Sequence, residues 1–328
     1  MIRTARLPNR ELIIVFVVTI AVFCWLSGSF RTTGNLENVL IGFSHTAILA
    51  VGQSLPLLLG GIDLSVGSIM ALAGMAAFDA YIVLGLPGWI VLPGALVLAT
   101  LAGAVNGVLI AKLKLQPFIA TLATMAAYRG LTYAISGRQI WPEIATRPIT
   151  DPLIVAFDDY VGHVPYAFFL LLIVFAVVQL LLGVTKFGRD LYTIGGNVEA
   201  ARLCGINVDR AVIISYSISG LCAGFAALVL VSRMTTSTES LGIGIEMSAI
   251  AAAIIGGVSL QGGIGNVFGP VIGAFLLGVV LIGLNLVGIP TYAQPVLTGL
   301  ILLGAVWYDR LLVQRRARAI LAKQAANP

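Results

Sequence analysis

"VPYAFFLLLIVFAVVQLLLGV", residues 164 to 184, is a run of 21 residues without a charged side chain. At about 1.5 Å per residue, a helix of roughly this length crosses the ~30 Å hydrocarbon core of a bilayer. A helix on a soluble core would keep a polar face for water, and this one has none. Comparable apolar blocks flank it near 12 to 30, 38 to 59, 66 to 86, 89 to 111, 117 to 136, 211 to 232, 247 to 265, 267 to 288 and 294 to 309. With residues 164 to 184 they give about ten candidate spans, so the chain reads as an all-α, polytopic membrane protein.

Composition agrees with that reading. Of 328 residues, 59% are apolar and 10% charged, and the mean hydropathy is +1.02. A soluble domain of this length needs more charge to cover its surface, and an outer-membrane barrel shows short alternating segments in place of continuous runs. Residues 1 to 328 are therefore expected to form a single transmembrane domain, with one long polar segment at 185 to 210. The first span follows Arg3, Arg6 and Arg10, but its apolar stretch exceeds the roughly 7 to 15 residues of a cleaved signal, so it is read as a retained anchor. "IIGGVSLQGGIGNVFGPVIGAF", residues 254 to 275, holds seven Gly and one Pro. Such text weakens two straight spans and fits a broken or re-entrant pair within 247 to 288.

Orientation follows from the Lys and Arg residues, which accumulate in short cytoplasmic loops. With both termini cytoplasmic, 14 of the 19 fall inside: Arg3, Arg6, Arg10, Lys112, Lys114, Lys186, Arg189, Arg202, Arg210, Arg310, Arg315, Arg316, Arg318 and Lys323. Arg31, Arg138, Arg147 and Arg233 fall outside, and Arg129 lies within a span. The net charge of +5 is thus read as topology and contact with anionic lipid headgroups, with no nucleic-acid partner. Cys24, Cys204 and Cys222 have no disulfide or metal spacing, and His45 and His163 have no companion ligand, so no metal site and no cofactor are expected.

The 185 to 210 segment contains "GGNVEAARLCGI", residues 195 to 206. Asn197 suits an N-cap, Glu199 sits in a first turn where the helix dipole favours an acid, and Gly205 suits the left-handed residue after a helix end. A helix of about two turns results. It serves either as a solvated connector or as a docking element for a soluble partner. In "GGIDLSVGS", residues 60 to 68, Asp63 stands at the end of an apolar run. An ionisable residue there is a functional candidate, and capping of the next helix with Ser65 is its structural alternative. Asp79 and Arg129 are the other charges in spans and are candidates to pair. "LLGGIDLSVG" at 58 to 67 is echoed by "IIGGVSLQGG" at 254 to 263, a hint of two related halves, with chance in Gly-rich text as the alternative; both stretches fall on the same side of the membrane, which fits a parallel repeat unless one is re-entrant. Gly103 with Gly107, Gly220 with Gly224, Gly265 with Gly269 and Gly269 with Gly273 are G-x-x-x-G pairs that permit close helix packing.

"EAARLCG" at 199 to 205 resembles the EAA-x-x-x-G loop of ATP-binding-cassette (ABC) importer permeases. Together with "GGIDLSVGS", "LQPFIATLATM" at 115 to 125 and "GRDLYTIGGNVEAARLCGI" at 188 to 206, it is similar to the ribose-type sugar permease family over about residues 38 to 309. One departure is Cys204, where that family commonly has Ser. The resemblance implies an inner-membrane subunit that passes a monosaccharide or related polyol. Its implied partners are a periplasmic sugar-binding protein, a cytoplasmic ATPase dimer and a second permease chain, identical or homologous. It places the ATPase contact on the 197 to 205 helix, with Glu199 giving polar contacts, Ala200 and Ala201 close approach, Gly205 the turn and Asn197 the cap. A sugar pathway needs hydrogen-bonding groups among apolar walls, for which Gln53, Asp63, Asn106, Tyr128 and Asn285 are candidates, with Phe118 available to stack on a sugar face. Each has the alternative of simple packing or interhelical bonding.

No lysine completes G-x-x-x-x-G-K-[ST], since Lys112, Lys114, Lys186 and Lys323 each follow a residue other than Gly. The chain is therefore not expected to be an enzyme, and ATP hydrolysis falls to a partner. A branched-chain amino-acid-type ABC permease and an ion-coupled secondary transporter are the competing functions.

Overall fold

The computed structural model of the chain describes residues 9–137, 149, 151–238, 240–307 and 310. Arg3, Arg6, Arg138, Arg147, Arg315, Arg316, Arg318 and Lys323, and with them the placement of both termini, lie outside the described residues. The protein is built of helices: α1 (Asn9–Leu26), α2 (Thr33–Leu58), α3 (Val66–Ile82), α4 (Gly88–Lys112), α5 (Pro117–Ser136), α6 (Pro152–Val155), α7 (Tyr166–Val184), α8 (Lys186–Gly196), α9 (Val198–Leu203), α10 (Val208–Met234), α11 (Ile245–Ile255), α12 (Phe268–Leu286) and α13 (Gln294–Trp307). A two-stranded ribbon, β1 (Tyr160–Val161) with antiparallel β2 (Val164–Pro165), precedes α7. Five helices, α2, α4, α7, α10 and α12, are long and apolar enough to cross a membrane, and the chain is a polytopic helical membrane protein.

Burial is arranged inside out relative to a soluble bundle. In α2, 83% of the membrane-length stretch is buried within the protein, whereas in α7, the most apolar helix, only 28% is. Lipid tails are as apolar as Leu, so the greasiest helix gains nothing by moving inward. The central helix instead carries Ser44, Thr46, Gln53 and Ser54, all buried.

Small residues decide which helices touch. α4 and α10 cross where Gly103 meets Gly220, and a Cβ on either would land on the backbone of the other helix, at the Tyr216 or the Ala99 carbonyl oxygen. Gly107 lies against Ile213 and Gly224 against Ala99, so two of the expected G-x-x-x-G pairs face each other. Gly269 and Gly273 pack on the carbonyls of Gly256 and Ala252, joining α12 to α11. Gly265 departs from expectation: it sits outside any helix at φ +148°, so Gly265 and Gly269 are not a helical pair.

The segment from 247 to 288 is broken, as its glycines suggest. α11 stops at Ile255 after 11 residues, and α12 begins only at Phe268. α1 and α3 end earlier than the hydropathy implies, at Leu26 and Ile82. Among the described residues, Asp79 and Arg129 are not paired with each other. Arg129 Nη1 instead donates to the Leu241 carbonyl at 2.7 Å, tying α5 to the turn before α11.

The α4–α10 crossing gives a direct test. Gly103→Leu is expected to cost about 1–3 kcal/mol through overpacking, seen as a lower thermal midpoint in detergent. Gly94→Leu, on the same helix with open space around its Cβ, should leave the midpoint unchanged.

Candidate functional site

At one end of the bundle α2, α4 and α7 finish and α10 begins, and α8 and α9 connect α7 to α10 across it. Lys112 and Lys114 at the end of α4 both reach Asp209 in the first turn of α10, at 3.1 and 2.8 Å. The pairs are exposed and contribute little stability, but they gather the expected basic loops on one face.

On that face α9 forms as its caps dictate. Asn197 Oδ1 accepts the Ala200 N–H at 2.9 Å, and Glu199 pairs with Arg202 at 2.9 Å. At the other end Ile206 N–H donates to the Ala201 carbonyl at 3.1 Å and Gly205 N–H to the Arg202 carbonyl at 2.9 Å. This double closure requires a left-handed residue, which Gly205 supplies at φ +77°. One correction concerns Ala201. It is fully buried, packed with Ile194 and Ala211 against Leu59 and Phe187, so it seats α9 on its own chain and offers no surface to a partner. Asn197, Glu199, Ala200, Arg202 and Gly205 remain exposed.

Sequence reasoning missed the most exposed apolar group here. Leu203 is 90% exposed, and Val198 is exposed at the other end of the helix. α9 lies outside the apolar spans, so Leu203 is not one of the side chains of a membrane-length apolar run. The available signal was an isolated Leu between Arg202 and Cys204 in the long polar segment at 185 to 210.

Directly behind α8 lies the turn between α2 and α3. Gly60, at φ +77°, reverses the chain, and Asp63 follows with no exposed surface. Its Oδ1 accepts both the N–H and the hydroxyl of Ser65, at 3.0 and 2.6 Å, and its Oδ2 accepts the Ser219 hydroxyl from α10 at 2.9 Å. Asn106 of α4 donates to Ser65 Oγ at 2.7 Å. The Gln53 carboxamide, oriented to satisfy both groups, accepts from the Asp63 N–H at 3.0 Å and donates to its carbonyl at 3.1 Å. The Thr121 hydroxyl of α5 lies between two acceptors, the Pro117 carbonyl of its own helix at 2.9 Å and the Ile62 carbonyl at 3.1 Å.

Three of the candidate pathway residues, Gln53, Asp63 and Asn106, are thus brought together. Asp63 acts as the cap of α3 and as a hub joining it to α10. With no exposed surface and three donors on its carboxylate, it offers no open contact to a solute in this conformation. Asn106 Oδ1 and the neighbouring Tyr216 hydroxyl, both buried, hold no hydrogen bond among the described residues. Tyr128 is close by on α5 and donates to the Ala102 carbonyl at 2.8 Å. Phe118 and Asn285 are elsewhere. Phe118 is 53% exposed on the outside of α5, whereas Asn285, with Asn35, Asn38 and Arg233, lines a cavity of about 310 Å³ near the opposite end of the bundle.

The hub makes a graded prediction. Asp63→Asn keeps an acceptor for Ser65 and should stay within about 1 kcal/mol of the parent, whereas Asp63→Leu strands three buried donors and should cost more than about 3 kcal/mol. Thermal unfolding in detergent separates the two.

A sequence model of the family described as "Branched-chain amino acid transport system / permease component" matches residues 35–306. The chain is 38% identical to the ribose import permease protein of Haemophilus influenzae over 93% of its own length and 94% of that protein's. It is 38% identical to the L-arabinose transport system permease protein of Escherichia coli (91% and 89% covered) and 33% identical to the xylose transport system permease protein of the same species (94% and 93%). Those relatives match nearly end to end, over the turn at 60 to 68 and the α8–α9 connection alike. The chain therefore belongs to this ABC-importer permease family, and within it to the monosaccharide permeases.

Proposed function

We propose that this chain is the membrane subunit of an ABC importer, moving a monosaccharide or related polyol across the bacterial inner membrane. A separate cytoplasmic ATPase dimer drives it, a periplasmic binding protein feeds it, and it works beside a second permease chain, identical or homologous. The relatives' names cover ribose, D-allose, L-arabinose and xylose, which fits a cargo of pentose or hexose size. On this reading the α8–α9 face and both termini are cytoplasmic.

The observation that carries the proposal is α9. It is a short helix capped at both ends and seated through Ala201, and its remaining surface, including the bare Leu203, points away from the bundle. Its exposed surface combines the apolar Leu203 with the charged Glu199 and Arg202, a mixture that a soluble partner can cover. A groove on an ATPase is a suitable cover, because a rigid knob transfers displacement where a flexible loop absorbs it. In the cycle, ATP binding draws the two ATPase domains together, the α9 knobs move with them, and the spans open outward to receive sugar. Glu199, Ala200, Arg202 and Leu203 make the contact, while Asn197 and Gly205 hold the helix that presents them. Within the bundle, Asn106 keeps an unused acceptor for a passing hydroxyl. Toward the outer face, the carboxamides of Asn35, Asn38 and Asn285 with the Arg233 guanidinium suit vicinal hydroxyls.

Co-purification of the tagged chain with the ATPase encoded beside it tests the proposal. Wild type should capture the ATPase. Leu203→Glu, which disturbs no internal contact, should reduce capture at least about tenfold at matched membrane expression. Gly205→Glu, which places a side chain at φ +77°, should reduce it as well. Failure of the wild type to capture any ATPase would bring an ion-coupled transporter forward.

A further inference from the structure

α8 ends in Gly195 and Gly196, residues that weaken a helix relative to Ala. For Gly195 the cause is close approach. A Cβ there would land on the Leu58 carbonyl oxygen and on the Gly263 amide. Added to Gly262, a Cβ would stand 2.9 Å from the Gly60 nitrogen and 3.0 Å from the Gly195 oxygen, and added to Gly263 it would stand 2.9 Å from the Gly196 nitrogen. The Leu58 carbonyl itself accepts the Gly263 N–H at 2.8 Å. Three backbones therefore meet with no side chain between them: the tip of α8, the turn after α2 and the turn after α11. The echoed stretches at 58 to 67 and 254 to 263 are the two turns, and they touch each other.

A fourth link completes the clamp. Tyr192, one turn back on α8, donates its hydroxyl to the Gly265 carbonyl at 3.0 Å. Burial pushes the phenol above its usual range, so it remains a donor. Each clamped turn leads directly into a helix start. The first runs through Asp63 and Ser65 into α3. The second runs through Asn266, whose Oδ1 accepts the Gly269 N–H at 2.9 Å, into α12.

Side chains absorb a displacement of a few tenths of an ångström by changing rotamer, and backbone in direct contact cannot. The α8–α9 connection is joined covalently to α7 and α10 and packs through Ala201 on Leu59, and the clamp adds the turn that leads into α12. We propose that Gly195 and Tyr192 are positioning residues of the transport cycle, through which movement of the α8–α9 connection reaches both glycine turns and reorients the starts of α3 and α12 together with α10. The proposal rests on the importer reading above and assigns it a route into the bundle.

The test uses the assembled transporter, permease with ATPase and sugar-loaded binding protein, in proteoliposomes. ATPase capture and sugar moved per ATP hydrolysed are both read. Gly196→Ala, one residue away with open space around its Cβ, is the control and should match wild type in both. Tyr192→Phe should keep full capture and lower sugar per ATP about three- to tenfold, as loss of one buried hydrogen bond in the transmitting contact implies. Gly195→Ala should keep capture and lower the ratio further. A purely structural role would lower the amount of protein and leave this ratio alone. Unchanged ratios in Tyr192→Phe and Gly195→Ala, with normal capture, overturn this inference alone. Where Gly195→Ala fails to accumulate, Tyr192→Phe decides by itself. A wild type that captures no ATPase overturns the importer reading and this one together.

Discussion

A helix broken inside a bilayer exposes backbone groups that no water reaches, and each one left unpaired costs several kcal/mol, of the order of the whole stability margin. That constraint governs this protein, because its chain breaks twice within the bundle, at residues 59 to 65 and 256 to 267. The first break is closed partly on the end of α2, where the Pro56 and Leu57 carbonyls take the N–H groups of Leu59, Gly60 and Gly61, and partly by its neighbours. Gln53 takes both backbone groups of Asp63, the Thr121 hydroxyl reaches the Ile62 carbonyl, and Gly263 takes the carbonyl of Leu58. The second closes partly on itself, with Ser259 N–H donating to the Ile264 carbonyl at 2.9 Å, and partly on the first. The two breaks satisfy each other, and the site is assembled where they meet.

Asp63 shows how a buried acid is held in such a place. No cation lies beside it among the described ion pairs. Three neutral donors converge on its two oxygens, from its own turn and from α10, and Asn106 supports them from behind. Hydrogen bonding to a carboxylate by positioned hydroxyl and amide groups replaces part of the hydration it has lost. The same bonds attach the start of α3 to α10, so one residue serves as helix cap and as crosslink.

The exterior follows different rules at its two kinds of surface. Where the bundle faces lipid, bare Leu, Ile and Val side chains on α7 need no partner. Where α9 leaves the bundle, Leu203 stands bare in a polar loop. It is 90% exposed there, against 42% for Leu172 and 59% for Leu180 on α7. The setting is defined by the polar loop around it and by Ala201, which fixes one face of α9 inward.

Much of this was legible in the chain itself. Apolar runs of bilayer length dictate helices because no other backbone form satisfies its own polar groups in lipid. Gly103, Gly107, Gly220 and Gly224 announced a close crossing, and Asn197 and Gly205 announced the two ends of α9, since caps act over three or four residues and leave a local trace. The sugar-permease resemblance was carried by the same short motifs. What depended on distant residues was not legible. That Asp63 meets Ser219, 156 positions away, that Arg129 turns to Leu241 in place of Asp79, and that Ala201 faces inward while Leu203 stands bare are all consequences of how the helices pack. The clamp of Gly195 on Leu58 and Gly263 belongs with these. In sequence a glycine records only that a side chain is absent, and the tertiary structure alone decides which backbone fills the space.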